Sequence, residues 1–482
     1  MSKSLQAEAS VSPAGDGWGR RAVPRFPGIR AVLGPGVVWA ALAQGSGELI
    51  WWPYLTARYG TALLGLLIPA ALMQLWISVE IGRYTVNTGE TIFAGFQRMS
   101  RVYAALLWVG LVCISAWFGA YAAAGGTSLA ELTGFPAGWS PRGRTLLWAC
   151  ATIVVFFSVL LFSPVVYAWI ERIMWAVAGL SVAGVLAAVA YPEVFRLGGA
   201  FFRALVTPRA GLPPGWRPSD TPILLTALAF AGMGGYFNFL YSYWLHEKRV
   251  GMARYMGRVT SPITGVEERS PEGALLFEDT PGNRRRHRRW TRYLWSETLM
   301  GLGVNLVTVT LMCWLALALL HPRGLIPKGW EIAVVQARFF SFAWGPVGKA
   351  VFLVVAALFL ADTWLTITDG VARMHTDYLR AASARARRRP VQWWYYFWVI
   401  LLTALSLSTL WFRQPGTLIV IVGVVSFLSM AVYAPGLIYL NYFRMPKLLP
   451  SWVRPHPANG VILGVITALY WALSVWYLTV IF

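Results

Sequence analysis

Apolar runs of membrane-crossing length alternate with short polar segments along most of the chain. A helix needs roughly 20 apolar residues to cross the hydrocarbon core. The pattern predicts about eleven spans, near 31–57, 60–84, 102–125, 143–162, 165–190, 220–244, 292–320, 345–371, 393–411, 416–441 and 458–481. A short amphipathic helix is expected near 331–343, before the eighth span. The first 27 residues hold no apolar run and are rich in Ser, Ala, Gly and Pro, which predicts a disordered tail at 1–27 ahead of a transmembrane unit at 28–482. No cleavable signal peptide is visible.

Composition agrees: 57% of the 482 residues are hydrophobic and 13% are charged, against about 25% charged in soluble chains. The net charge of +21 would suggest nucleic acid in a soluble protein. Here the basic runs at 284–289 and 385–389 lie between apolar spans, with no stacking platform or groove-reading motif beside them. They are expected at anionic headgroups, so the expected partners are the lipid bilayer and a transported ion or small solute, not nucleic acid. Lys and Arg gather in the tail and in the loops after even-numbered spans, notably 372–392 and the basic loop 245–291. The positive-inside rule then places the N-terminus in the cytoplasm and, with eleven spans, the C-terminus outside, in a plasma membrane of prokaryotic type. Cys113, Cys150 and Cys313 all lie in apolar runs without metal-ligand spacing.

Two spans carry interruptions. In the first, Ala41-Leu42-Ala43-Gln44 leads into Gly45-Ser46-Gly47-Glu48. In the sixth, Ala227-Leu228-Ala229 leads into Gly232-Met233-Gly234-Gly235, followed by Tyr236-Phe237-Asn238. Small residues at such spacing also serve close helix packing. A matched pair five spans apart points instead to an inverted-repeat transporter, with its site between two discontinuous helices. The repeats would run from about 31 to 190 and from about 220 to 441, with an extra helix near 458–481. Glu48 is a carboxylate at membrane depth, where an ionisable group is costly and functional by default.

Asp362 and Asp369 lie in the eighth span, seven residues apart and on one face with Thr366. Asp362 is deep enough to suggest function. Asp369 sits near the end, where solvation or pairing with Arg373 competes. Glu80 and Arg83 read as an interfacial ion pair, and Asn441 as structural. Glu297 and Asn305 share a face of the seventh span and either line a pathway or bond to neighbouring helices. No histidine pairs with Cys or another His at zinc-ligand spacing, no Walker loop is present, and no nucleophile–base arrangement stands out, so neither an enzyme nor a resident cofactor is expected.

Gly34-Pro35-Gly36 followed by a glycine-broken core resembles the first helix of the Nramp (natural-resistance-associated macrophage protein) family. Gly82-Arg83-Tyr84-Thr85-Val86-Asn87-Thr88-Gly89-Glu90 resembles that family's turn after helix two, and Thr366-Ile367-Thr368-Asp369-Gly370 its helix-eight motif. The resemblance implies an all-α integral membrane protein of eleven or twelve transmembrane helices, with the leucine-transporter-type (LeuT) five-plus-five inverted repeat and discontinuous helices 1 and 6. It also implies proton-coupled secondary transport of divalent metal. The metal motifs depart from the pattern. The family's Asp-Pro-Gly-Asn falls on Gly45, Ser46, Gly47 and Glu48, and its Met-Pro-His with a second His falls on Tyr236, Phe237, Asn238 and Tyr243.

Two readings follow. In one, an oxygen-rich cation site is rebuilt from Glu48, Asn238 and Asp362 as ligands. It is lined by Gly45, Ser46, Gly47, Met233, Gly234, Gly235, Tyr236 and Thr366 and suits magnesium or manganese as substrate, with proton coupling in doubt. In the other, the glycines and aromatics leave room for a larger organic solute or a metal chelate. A non-transporting receptor would carry a soluble signalling domain, and this chain has no segment long enough for one.

Overall fold

A computed structural model describes residues 13–14, 18–163, 166–209, 211–260, 273–327, 334–412 and 414–481. Among them, eight helices are long and apolar enough to cross a membrane: Leu64–Thr88, Arg101–Thr133, Pro141–Phe162, Pro281–Arg323, Trp344–Ala382, Val391–Thr409, Pro415–Leu448 and Pro457–Val480. The three other expected spans are helical as well. The fifth is Val166–Val189, and the first and sixth are built from shorter pieces. Exposed apolar side chains such as Leu106, Val154, Val155, Val461 and Trp471 give these helices their lipid-facing surface.

The interior is drawn together by small residues. A side chain at Gly36 would strike the Glu297 carbonyl at 2.5 Å, and one at Gly301 would strike the Gly36 carbonyl at 2.7 Å. The first and seventh spans therefore touch backbone to backbone, as small-residue interfaces allow. The third span meets the eighth and fourth in the same way at Gly125 and Gly126.

Three expectations change. Residues 18–26 dock rather than trail free: Trp18–Arg20 pairs in parallel with Leu275–Leu276, and Val23, 2% exposed, donates its N–H to Asn283 Oδ1 at 2.9 Å. Phe26 packs edge-on against Trp290 at 5.0 Å between centroids. Val23 and Phe26 are the apolar residues that a composition average hides. The seventh helix begins at Pro281, inside the stretch taken as loop. Thr280 caps it, its Oγ1 accepting the Asn283 N–H at 3.1 Å, and Pro281 at the first helical position loses no hydrogen bond. The helix before the eighth span runs directly into it, with a kink at Trp344–Gly345 where the backbone leaves the helical region; residues 331–333 of that prediction lie outside the described residues.

Candidate functional site

The sixth span breaks as its sequence predicts. Helix Thr221–Ala229 stops, residues 230–234 form turns and bends, a 3-10 turn covers Gly235–Phe239, and helix resumes at Leu240–Glu247. Gly234 and Gly235 have φ of 75° and 54°, a region that L side chains rarely enter. Gly235 lies so close to the tenth span that a Cβ would sit 2.3 Å from Ser426 Cβ.

The first span differs from expectation. Helix Pro35–Ala43 passes into a π-helical segment, Gln44–Trp51, and then into helix Trp52–Tyr59. The chain stays wound through Gly45-Ser46-Gly47 rather than opening a gap. The glycines weaken the α form, and the wider π turn shifts the following residues around the axis. The side chains of Ser46, Gly47 and Glu48 lie outside the described residues.

Gly45 meets the eighth span face on. A side chain there would approach Thr363 Oγ1 to 2.0 Å and the Phe359 carbonyl to 3.0 Å. This contact sets the π-helical segment beside Asp362. That residue is fully buried, and apart from polar contact with the adjacent Thr363 neither carboxylate oxygen has a hydrogen-bond partner among the described residues. Thr366 Oγ1, one turn further along the helix, is also buried and unpaired. Buried polar atoms are nearly always bonded, so an unpaired carboxylate calls for an explanation such as an ion or ligand.

Asn238, also a predicted ligand, is anchored through its amide nitrogen. Asn238 Nδ2 donates to Gln74 Oε1 and to the Tyr433 hydroxyl, each at 2.8 Å, tying the sixth span to the second and tenth. Only its Oδ1 is unpaired. Tyr236 turns to the third span, where a Cβ on Gly110 would come within 2.1 Å of its hydroxyl, and Met233 is buried. No group of three or more His, Cys, Asp or Glu side chains among the described residues is placed to hold a metal ion. Of the predicted ligands, Asp362 and Asn238 are described, and the side chain of Glu48 lies outside the described residues.

The two ends of the bundle differ. On the side of the N-terminal tail, Arg373 donates to Asp369 through Nε at 3.0 Å and Nη2 at 2.9 Å, and through Nη1 to Glu247. Tyr395 donates to Asp369 at 2.6 Å. These buried groups join the sixth, eighth and ninth spans. Glu80 binds Arg83 at 3.1 Å and accepts from Asn441 Nδ2 at 2.9 Å, which gives Asn441 the structural role its position suggests. Glu297 Oε1 accepts the N–H groups of Gly34 and Gly36 at 3.0 and 2.8 Å, capping the first span from the seventh. At the far end, Arg58 and Asp220 pair at 2.8 Å and clasp the first span to the sixth. Beside them opens a cavity of about 280 Å³, with Trp51, Tyr54, Pro222, Ile223, Gln414 and Thr417 in its wall.

Sequence reasoning passed over Gln44, which stands next to Gly45 in the motif itself. Its Nε2 donates to Thr308 Oγ1 of the seventh span at 3.3 Å, and its Oε1 is buried without a partner among the described residues. A glutamine preceding a glycine break at membrane depth was the available signal.

No family model and no curated protein matches the sequence. Solved structures do match in fold. A manganese transporter of Eremococcus coleocola, in complex with an aromatic bis-isothiourea compound, aligns over 98% of this chain and 99% of its own at 14% identity and a TM-score of 0.58. MhsT in complex with L-phenylalanine aligns over 91% and 98% at 13% identity and 0.52. The nucleobase-cation-symport-1 transporter MHP1 aligns over 95% and 92% at 12% identity and 0.51. What is shared at such identities is architecture: the chain has the leucine-transporter-type fold, as its Nramp resemblance implies.

Proposed function

We propose that this protein is a secondary transporter that carries a divalent metal cation across the bilayer by alternating access, with Asp362 as the charge that binds it. The observation carrying this reading is the buried, unpaired Asp362 carboxylate beside the Gly45 turn. A carboxylate in the membrane interior is costly unless a cation or a proton neutralises it. Thr366 and carbonyls of the π-helical segment supply further oxygen, and Glu48 is the proposed second acid. Such a donor set has no thiolate, imidazole or thioether and suits magnesium or manganese. The ion network on the tail side and the cavity at the far side fit a state that is shut toward the tail and open opposite it. With the tail in the cytoplasm, that cavity would face outward.

Calorimetry on the purified chain tests this. Manganese or magnesium should bind the wild type, and binding should be lost in Asp362→Ala. Failure of every divalent ion to bind would overturn the cation reading. A second reading, transport of an organic solute or chelate, draws support from the far-side cavity, whose described lining carries no charged side chain. Stabilisation of the protein by small organic solutes, with no response to divalent ions, would select it.

A further inference from the structure

Three membrane-crossing helices have their ends together on the tail side of the bundle. The second span stops at Thr88, the helix of the tenth at Leu448, and the eleventh begins at Pro457. Between them is a small cavity whose wall includes Arg83, Asn87, Asn441 and Arg454. Its volume is about 10 Å³, room for one water-sized group. Arg83 holds Glu80 through Nε and Nη2, each at 3.1 Å, and its Nη1 takes no part in that pair. Asn87 Oδ1 is engaged by His287 Nε2 at 2.9 Å, which leaves the amide N–H groups of Asn87 for the cavity. Arg454 follows the 3-10 turn Ser451–Val453 and is exposed, and no ion pair engages its guanidinium among the described residues. Arg83 and Glu80 cancel, so the wall carries one uncompensated charge, the cation of Arg454. Lipid borders the mouth. Tyr439 and Phe443 stack at 6.4 Å between centroids and are exposed on the tenth span, and Val461 is exposed on the eleventh.

We infer that this cavity binds the phosphate of an anionic phospholipid, with Arg454 supplying the charge that selects it. One phosphate oxygen enters between Arg83 and Arg454. The acyl chains lie along the apolar surface that Phe443 and Val461 expose. Forked guanidinium donors match phosphate oxygens in geometry as well as in charge. Basic pockets at the ends of membrane helices hold headgroups at the level where the bilayer places them. A lipid with a single negative charge balances the single free cation. A choline headgroup would set a second cation beside Arg454 and fits less well. A bound headgroup would tie the end of the second span to the start of the eleventh. The inference is independent of Asp362 and of what the protein transports.

Thermal unfolding of the detergent-purified full chain, titrated with dioleoylphosphatidylglycerol or dioleoylphosphatidylcholine, reads this site. The phosphatidylglycerol should raise the melting temperature saturably, and the phosphatidylcholine should have little effect. In Arg454→Gln the half-saturating concentration should rise about tenfold or more, the equivalent of roughly 1.4 kcal/mol. Arg454→Lys keeps the charge without the fork and should fall between the two. Arg388→Gln, in the exposed basic run after the eighth span, should respond as the wild type does. An equal loss in Arg388→Gln would reduce the effect to diffuse attraction and overturn the inference. So would an equal response to the two lipids, or an unchanged response in Arg454→Gln, either of which leaves the cavity to water. Stabilisation by inorganic phosphate that Arg454→Gln abolishes and the lipid does not match would replace the phospholipid with a free anion.

Discussion

Gly45 of the first span and Thr363 of the eighth are in such close contact that a methyl group added to the glycine would fall 2.0 Å from the threonine hydroxyl. Thr363 cannot readily turn away, because its Oγ1 donates to the Phe359 carbonyl at 2.8 Å. Gly45→Ala should therefore push the two spans apart, destabilising the protein by about 1–3 kcal/mol. Thr363→Ala removes the obstructing oxygen. The double variant should recover much of the loss, and a double-mutant cycle by thermal unfolding would measure the coupling. Additive losses would mean that the two residues do not press on each other.

Glu297 fastens the start of the first span. It accepts two backbone N–H groups that open that helix, at Gly34 and Gly36. Glu297→Ala leaves these donors buried and unpaired, at a cost of about 1–3 kcal/mol. Glu297→Gln retains an acceptor oxygen and should lose less. Cysteine labelling near Gly34 in the two variants should show greater accessibility in Glu297→Ala.

Arg373 is the cation between two buried carboxylates, Asp369 and Glu247. Arg373→Met strands both, and removing one partner of a buried pair typically costs about 3–5 kcal/mol. Arg373→Lys keeps the charge but loses the forked geometry that reaches both acids at once, so it should rescue only in part. Thermal unfolding ranks the three proteins. A wild-type midpoint for Arg373→Met would remove this network from the account of tail-side closure.

How much of this could be read from the chain varies with the range of the interactions. Spans were legible because lipid demands long apolar runs, and Asp362 because an acid in such a run has few innocent explanations. The break in the sixth span was legible because Gly234 and Gly235 permit positive φ. The same chemistry at Gly45-Ser46-Gly47 gave a π-helical turn, since glycine lowers the cost of leaving the α form without choosing what replaces it. Asn238 was expected in the ion site, but the bonds of its Nδ2 to Gln74 and Tyr433 were not foreseen. In a 3-10 turn after a break, helical spacing no longer tells which way a side chain faces. The docking of residues 18–26 depends on Leu275–Leu276 and Asn283, more than 250 positions away, and no local pattern encodes that pairing.

The proposed function stands on Asp362 binding the transported cation. It is tested most directly by uptake of radiolabelled manganese into proteoliposomes holding wild type or Asp362→Asn, with folding of both checked by size exclusion. Saturable uptake is expected of the wild type and a loss of about tenfold or more in the variant, the equivalent of at least roughly 1.4 kcal/mol. Equal uptake by the two proteins would contradict it.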